Sequence, residues 1–247
     1  MRSPIWTAPD LKACQGFQLL VSLRSVRRTQ RSSTKNYVYR ILLVDGMELV
    51  RVGLAQTIAA ASQLLVCAAT GDYDDVPDLI ERHRPHLMVA EPFREHRDGI
   101  IWIKNLHANH RQMKILVASS NSEATYAERL LRAGASGYWM KTGSAEGLLK
   151  AIDTVLSGEL YVSPTLGLLA VHKLVDRSAK NADLLSELSD RELAVFSFIA
   201  ARHGTGQIAK ELGISRKTIE THCAHIKLKL GYPDAAALKR GAQESLG

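Results

Sequence analysis

LSDRELAVFSFIAARHGTGQIAKELGISRKTIETHCAHIKLKLG, residues 188–231, reads as three short helices separated by tight turns. Ser189 and Glu192 form a Ser-x-x-Glu capping box, in which each side chain satisfies an end amide of the other, and it starts a helix that turns Leu193, Val195, Phe196 and Ile199 inward. That helix is expected to end near Gly204. Thr205 can cap the next helix, where Ile208, Ala209 and Leu212 form a short apolar stripe before Gly213, the residue type that permits a left-handed exit. Ser215 then caps the third.

With Ile219 at the centre of the buried face, stepping about 100° per residue puts Cys223, Ile226 and Leu230 on the same side. These four are the expected core of the third helix. The opposite side carries Lys217, Thr221, Ala224 and Leu228, flanked by Glu220 and His225. Small residues there let a helix backbone sink toward base edges in a major groove, Lys217 and Lys227 can neutralise phosphates, and Glu220 can accept from cytosine amino groups. The alternative is an ordinary three-helix bundle with a solvated charged face.

Through Leu188, Arg191-Glu192, Ile208-Ala209, Leu212, Ser215, Thr218-Ile219-Glu220, His222, Ile226 and Lys229-Leu230, the segment resembles the LuxR-type helix-turn-helix of the NarL/FixJ family. The resemblance implies that the third helix lies in the major groove of double-stranded DNA and that homodimers bind paired half-sites; Lys217, Thr218, Glu220, Thr221, Ala224 and Lys227 are the residues expected at that interface. It also implies that Glu192 is a structural salt-bridge partner and not a DNA contact.

A chain of 247 residues with 46% hydrophobic content can form two cores, and no apolar run approaches the ~20 residues that span a membrane. A soluble, cytoplasmic chain is expected. Cys14, Cys67 and Cys223 are odd in number and dispersed, which indicates neither a disulfide framework nor a zinc site. The net charge of +7 divides unevenly: residues 1–40 hold 8 basic and 1 acidic residue, residues 41–185 hold 15 and 17, and residues 186–247 hold 9 and 7. The basicity therefore lies almost wholly in an arm, residues 1–38, that lacks apolar periodicity after Val26 and is expected to be disordered. The arm could touch DNA phosphates or an acidic partner, or be an upstream extension without function.

From Tyr39 short apolar strands alternate with amphipathic helices, the signature of a parallel sheet covered on both faces. Strands are expected at 39–44, 64–69, 87–90, 114–118 and 137–140, and helices at 48–60, 75–84, 99–107, 123–133 and 144–157. Five of each make an α/β, flavodoxin-like (βα)5 domain over 39–158, with its crevice at the carboxyl ends of the strands. A linker over 159–186 contains an apolar stretch, LGLLAVHKLV, expected to be helical. The all-α module occupies 187–247, and Pro233-Asp234 is expected to start a fourth helix in it.

The strand ends carry Asp45, Glu91, Ser119 and Lys141. With RILLVD, VRVGL, RPHLMVAEPFREHRDG, KILVASS and AGASGYWMKT in order, residues 39–158 resemble a response-regulator receiver domain. The resemblance implies a site in which two adjacent carboxylates hold magnesium, an aspartate accepts a phosphoryl group, and a Ser/Thr and a Lys contact it. Two positions depart from that pattern. Gly46 stands where the second acidic residue belongs, and Glu91 stands at the acceptor position. The longer glutamate places its carboxylate out of line for attack, so phosphorylation is expected to be poor or absent, and a metal site is disfavoured.

Three readings of Glu91 stay open: a fixed partial mimic of the phosphorylated state paired with Lys141, a relic in a receiver kept for dimerisation or ligand binding, or a site where phosphorylation persists at Glu91 or a neighbour. Arg94 and Arg97 could neutralise Glu91 without a signal. Tyr138 matches the aromatic that swings between exposed and buried in switching receivers. Residues 139–142, Trp-Met-Lys-Thr, are distantly similar to a loop with which some degenerate receivers bind cyclic dinucleotide, although Thr142 stands where those motifs end in arginine; ordinary strand packing of Trp139 is the alternative. No GxSxG, HExxH or P-loop pattern occurs, so no enzyme and no cofactor are expected. The chain reads as a sequence-specific DNA-binding regulator that works without phosphorylation. The alternatives are a conventional phosphorylated regulator, or a receiver that binds a regulatory protein or small ligand.

Overall fold

The computed structural model describes residues 6–7, 38–93, 98–168 and 184–246. The five apolar runs form β1 Tyr39–Val44, β2 Leu64–Thr70, β3 Leu87–Ala90, β4 Lys114–Ser119 and β5 Gly137–Met140. They make a parallel sheet in the order β2-β1-β3-β4-β5. Ile41 to Val44, Leu87 to Ala90 and Ile115 to Ala118 are no more than 1% exposed, as expected of strands covered on both faces. Val44 pairs with Ala90 and Ser119 with Met140, so Asp45, Glu91 and Lys141 leave the strands at their carboxyl ends.

Within the arm expected to lack order, Trp6–Thr7 is a short edge strand antiparallel to β2, Trp6 opposite Ala69 and Thr7 opposite Ala68. The rest of the arm lies outside the described residues, as do Arg94 and Arg97.

The covering helices are α1 Glu48–Ala59, α2 Val76–His83, α3 Gly99–Asn109, α4 Glu123–Arg132 and α5 Ala145–Leu156. Each of the last three buries a stripe at three- and four-residue spacing: Ile100, Ile103 and Leu106; Tyr126, Ala127 and Leu130; Leu148, Ala151, Ile152 and Val155. Asp98 and Ser144 cap α3 and α5 by accepting from Ile101 and Gly147 N–H. The second helix starts later than its pattern suggests, because Tyr73–Asp75 winds as a 3-10 turn ahead of it.

The C-terminal module comprises α6 Asp190–Ala200, α7 Thr205–Glu211, α8 Arg216–Leu230 and α9 Ala235–Leu246. The Ser189/Glu192 capping box is formed, and Ser215 caps α8 through Thr218 N–H. Thr205 does not cap α7: Gly204 holds that place without a side-chain bond, and Thr205 is the first helical residue. Gly213 takes the left-handed φ of 63° that turns the chain toward α8. Asp234 Oδ1 accepts from Ala237 N–H at the start of α9.

Ile219 and Ile226 are fully buried, whereas Cys223 and Leu230, expected in the same core, are half-buried. The buried stripe of α8 is therefore a narrow line at seven-residue spacing. Cys67, in the sheet, is buried. Residues 164–168 are helical, and the remainder of the expected linker helix lies outside the described residues. Among the described residues no helix is long and apolar enough to cross a membrane.

Phe196 of α6 is 0% exposed. Phe196→Ala is expected to destabilise the module by about 3–5 kcal/mol, read from urea unfolding followed by circular dichroism.

Candidate functional site

The receiver crevice is organised around one carboxylate. Glu91, the first residue beyond β3, is 7% exposed. Its Oε1 accepts from Ser119 Oγ at 2.8 Å and from Phe93 N–H at 3.2 Å; its Oε2 accepts from Lys141 Nζ at 3.0 Å and from Ser120 N–H at 3.3 Å. The side chains of Lys141 and Glu91 are 12% and 8% exposed, so the ion pair is shielded from solvent and only weakly screened. Glu91, Ser119 and Lys141 are thus one bonded group, as their positions at the strand ends suggest.

Tyr138, 1% exposed, is turned inward and donates from its hydroxyl to Asn121 O at 2.8 Å. Burial pushes its phenol well above the usual range, and the negative charge of Glu91 adds to the shift despite a bond to Ser119. Trp139 is buried at 7% exposure. It packs as a strand residue and offers no stacking face, and Lys141 is held by Glu91, so the likeness to a cyclic-dinucleotide loop finds no counterpart in the geometry.

At the end of β1, Asp45 is 1% exposed and its Oδ1 accepts from Met47 N–H at 2.7 Å, while the buried Arg51 donates to the Asp45 carbonyl at 2.5 Å. The donor set does not fit magnesium. Gly46 contributes no carboxylate, and each oxygen of Glu91 already accepts two bonds, one of them from an ammonium that a cation would have to displace.

In the C-terminal module the third helix exposes Lys217, Thr218, Glu220, Thr221 and Ala224, with Lys227 half-exposed at the margin. Leu228, on the same side, is 83% exposed. The opposite side is tied down by Glu192, whose Oε2 accepts from Lys229 Nζ at 2.6 Å and from Ser189 N–H at 2.8 Å, while His225 Nδ1 lies 3.7 Å from Oε1. One carboxylate thereby fastens the start of α6 to the end of α8. The polar partners Asp98, Tyr126, Arg129 and Ser197, which link α6 to residues of the receiver, carry no mark in the sequence, and Arg191 is marked only as a family position, because helical periodicity reports burial and is silent on distant polar pairs.

Residues 41–153 match the family model described as the response regulator receiver domain, and residues 186–240 that of the bacterial regulatory proteins of the luxR family. The oxygen regulatory protein NreC of Staphylococcus aureus (strain MRSA252) is 30% identical over 197 residues, covering 78% of this chain and 91% of that protein. The protein of the same name from Staphylococcus epidermidis is 29% identical, covering 77% and 90%. Among solved structures, RcsB from Salmonella enterica serovar Typhimurium bound to promoter P1flhDC in the presence of phosphomimetic BeF3− superposes with a TM-score of 0.67 at 21% identity, covering 83% of this chain and 98% of that one.

A receiver followed by a LuxR-type helix-turn-helix defines the class, a response regulator. The chain belongs to the NarL/FixJ type of that family and is a DNA-binding transcription regulator.

Burial alone would raise the pKa of Glu192, but bonds from Lys229 and Ser189 outweigh it and hold the carboxyl at about 2, below the ordinary 4.5. A depressed pKa stabilises the folded module above the unfolded-state value and loses that contribution as pH falls from about 4.5 through about 2. An acid titration of unfolding midpoints is expected to decline across this window, and Glu192→Gln to flatten the decline while lowering stability at neutral pH.

Proposed function

We propose that this chain is a sequence-specific transcription regulator that acts as a homodimer on double-stranded DNA and whose receiver works without aspartyl phosphorylation. The proposed organisation is a basic arm at 1–38, a receiver at 39–158, a linker at 159–186 and a DNA-binding module at 187–247. One observation carries the receiver reading. Glu91 holds Ser119 at 2.8 Å and Lys141 at 3.0 Å, the two side chains that the family resemblance assigns to phosphate contact. The glutamate supplies a permanent negative charge to those partners. It is a partial substitute, since one unit of charge is less than the roughly −1.5 to −2 of a phosphoryl group.

The reading face of α8 supports the DNA role. Thr221, Ala224 and Glu220 face the bases, Thr218 and Lys217 sit at the helix start, and Lys217 and Lys227 pair with phosphates. Family membership supports the dimer and the paired half-sites. RcsB has been solved as two dimers bound to two parallel DNAs.

Incubation with acetyl phosphate and magnesium, followed by intact-mass measurement, is expected to show no species heavier by a phosphoryl group. A clear adduct would restore the conventional phosphorylated regulator. Glu91→Gln, which removes the charge that holds Lys141, is expected to change DNA affinity in a mobility-shift assay. In the same assay Lys217→Ala should weaken binding to all fragments alike and reduce the salt slope by about 1, whereas Thr221→Val should cost roughly 1–3 kcal/mol at selected base positions only.

A further inference from the structure

Three side chains of the receiver bind the first helix of the DNA-binding module. Arg129 of α4 donates from one branch to the Asp190 carboxylate at 2.8 Å, and from the other to the carbonyls of Leu185 and Leu188 at 3.0 and 2.6 Å. Tyr126, 4% exposed, shares a hydrogen bond with Ser197 Oγ at 2.8 Å. Asp98 accepts on Oδ2 from Arg191 at 3.1 Å while its Oδ1 caps α3. The second branch of Arg191 donates to Leu212 O at 2.5 Å, the carbonyl that closes α7 just ahead of the turn into α8.

We infer that Asp98, Tyr126 and Arg129 form a seat for α6, and that Arg191 is the positioning residue through which the receiver sets the turn in front of the recognition helix. A guanidinium is a rigid fork, so the angle between its two acceptors is fixed, and displacing Asp98 reorients the bond to Leu212.

The seat is built on the segment that Glu91 holds. Phe93 donates its N–H to Glu91, and its ring lies 4.4 Å from that of Tyr126, centroid to centroid. A Cβ at Gly99 would stand 2.7 Å from Pro92 O and 2.9 Å from the Phe93 ring, so only glycine lets the start of α3, with Asp98 before it, pack against that segment. The seat presents the module without covering its reading face: Lys217, Thr221 and Ala224 are exposed, and none takes part in the seat bonds. Beside it runs a cleft of about 670 Å³ whose walls include Phe93, Tyr126, Leu193 and Phe198. Directed polar bonds therefore fix the contact, and one substitution among them can weaken it.

Asp98→Asn keeps the acceptor that caps α3 and removes the charge facing Arg191. Arg191→Lys keeps a cation but offers one donor group in place of a fork. In the full-length protein, on a fragment recovered by footprinting with the wild type, each is expected to weaken DNA binding at least about fivefold, the lower end of ordinary coupling between sites. Hydrogen exchange at residues 185–193 is expected to rise in Asp98→Asn while exchange in α3 stays unchanged. Asp98→Asn that binds DNA as the wild type does, or more tightly, overturns the inference, since the seat then either does nothing or acts as a restraint. Should Arg191→Lys fail to fold, Asp98→Asn decides alone, because it alters neither α6 nor α8. Glu91→Gln tests the pocket reading separately, and either reading can fail without the other.

Discussion

A carboxylate buried at the end of a central strand has to be answered by donors, and much of the receiver follows from how Glu91 is answered. Removing such a group from water costs several kcal/mol unless a well-placed cation and further hydrogen bonds compensate. Lys141 from beyond β5, Ser119 from the end of β4 and two backbone amides do so here. Deleting one partner of a shielded pair of this kind typically costs about 3–5 kcal/mol, because a bare charge is left behind. The same pairing engages the ammonium of Lys141 and the hydroxyl of Ser119, the two side chains that the family resemblance assigns to phosphate contact.

The DNA-binding module uses the same physics for a different end. Glu192 is 4% exposed and is answered by Lys229 and by the amide and hydroxyl of Ser189. In the receiver the buried carboxylate fills a site. In the module it fixes the relation between a helix start and a helix end, which sets the tilt at which α8 projects. Small α-helical modules have little apolar area to hold such an angle, so a charge-assisted bond of defined direction supplies what packing cannot.

The sheet was legible because its strands are buried on both faces. Unbroken apolar runs such as ILLV and LMVA are too short for a buried helix, and they place Asp45, Glu91, Ser119 and Lys141 at strand ends without tertiary information. The Ser189 and Ser215 caps were equally plain, whereas Thr205 is not a cap, because Gly204 fills that position with backbone alone. Cys223 and Leu230 were assigned to the core by angle. Angle gives the direction of a side chain but not the width of the neighbour that covers it, and here only Ile219 and Ile226 are fully covered. The links from Arg129, Tyr126 and Asp98 to α6 join residues 61 to 93 positions apart and could not be read at all. Their residue types are equally at home on a solvated surface.

Those links bear on how the module can hold DNA. Residues 186–247 carry 9 basic and 7 acidic side chains, a small surplus for a surface that must approach a polyanion. Arg191 is engaged by Asp98 and Leu212, and Lys229 by Glu192, so these two cations serve the architecture and contribute less to counterion release. The acidic partners are committed as well: Glu192 lies buried behind α8 and Asp190 is paired with Arg129. Toward solvent on α8 stand Arg216 and Lys217 at its start and, half-exposed, Lys227 near its end, with Glu220, Thr221 and Ala224 between them. Internal pairing thus takes charges of both signs off the surface and leaves the cations of this α8 face near its two ends. Such a face can be specific while binding only moderately through phosphates, and an affinity of that kind is sensitive to how firmly the module is held in place.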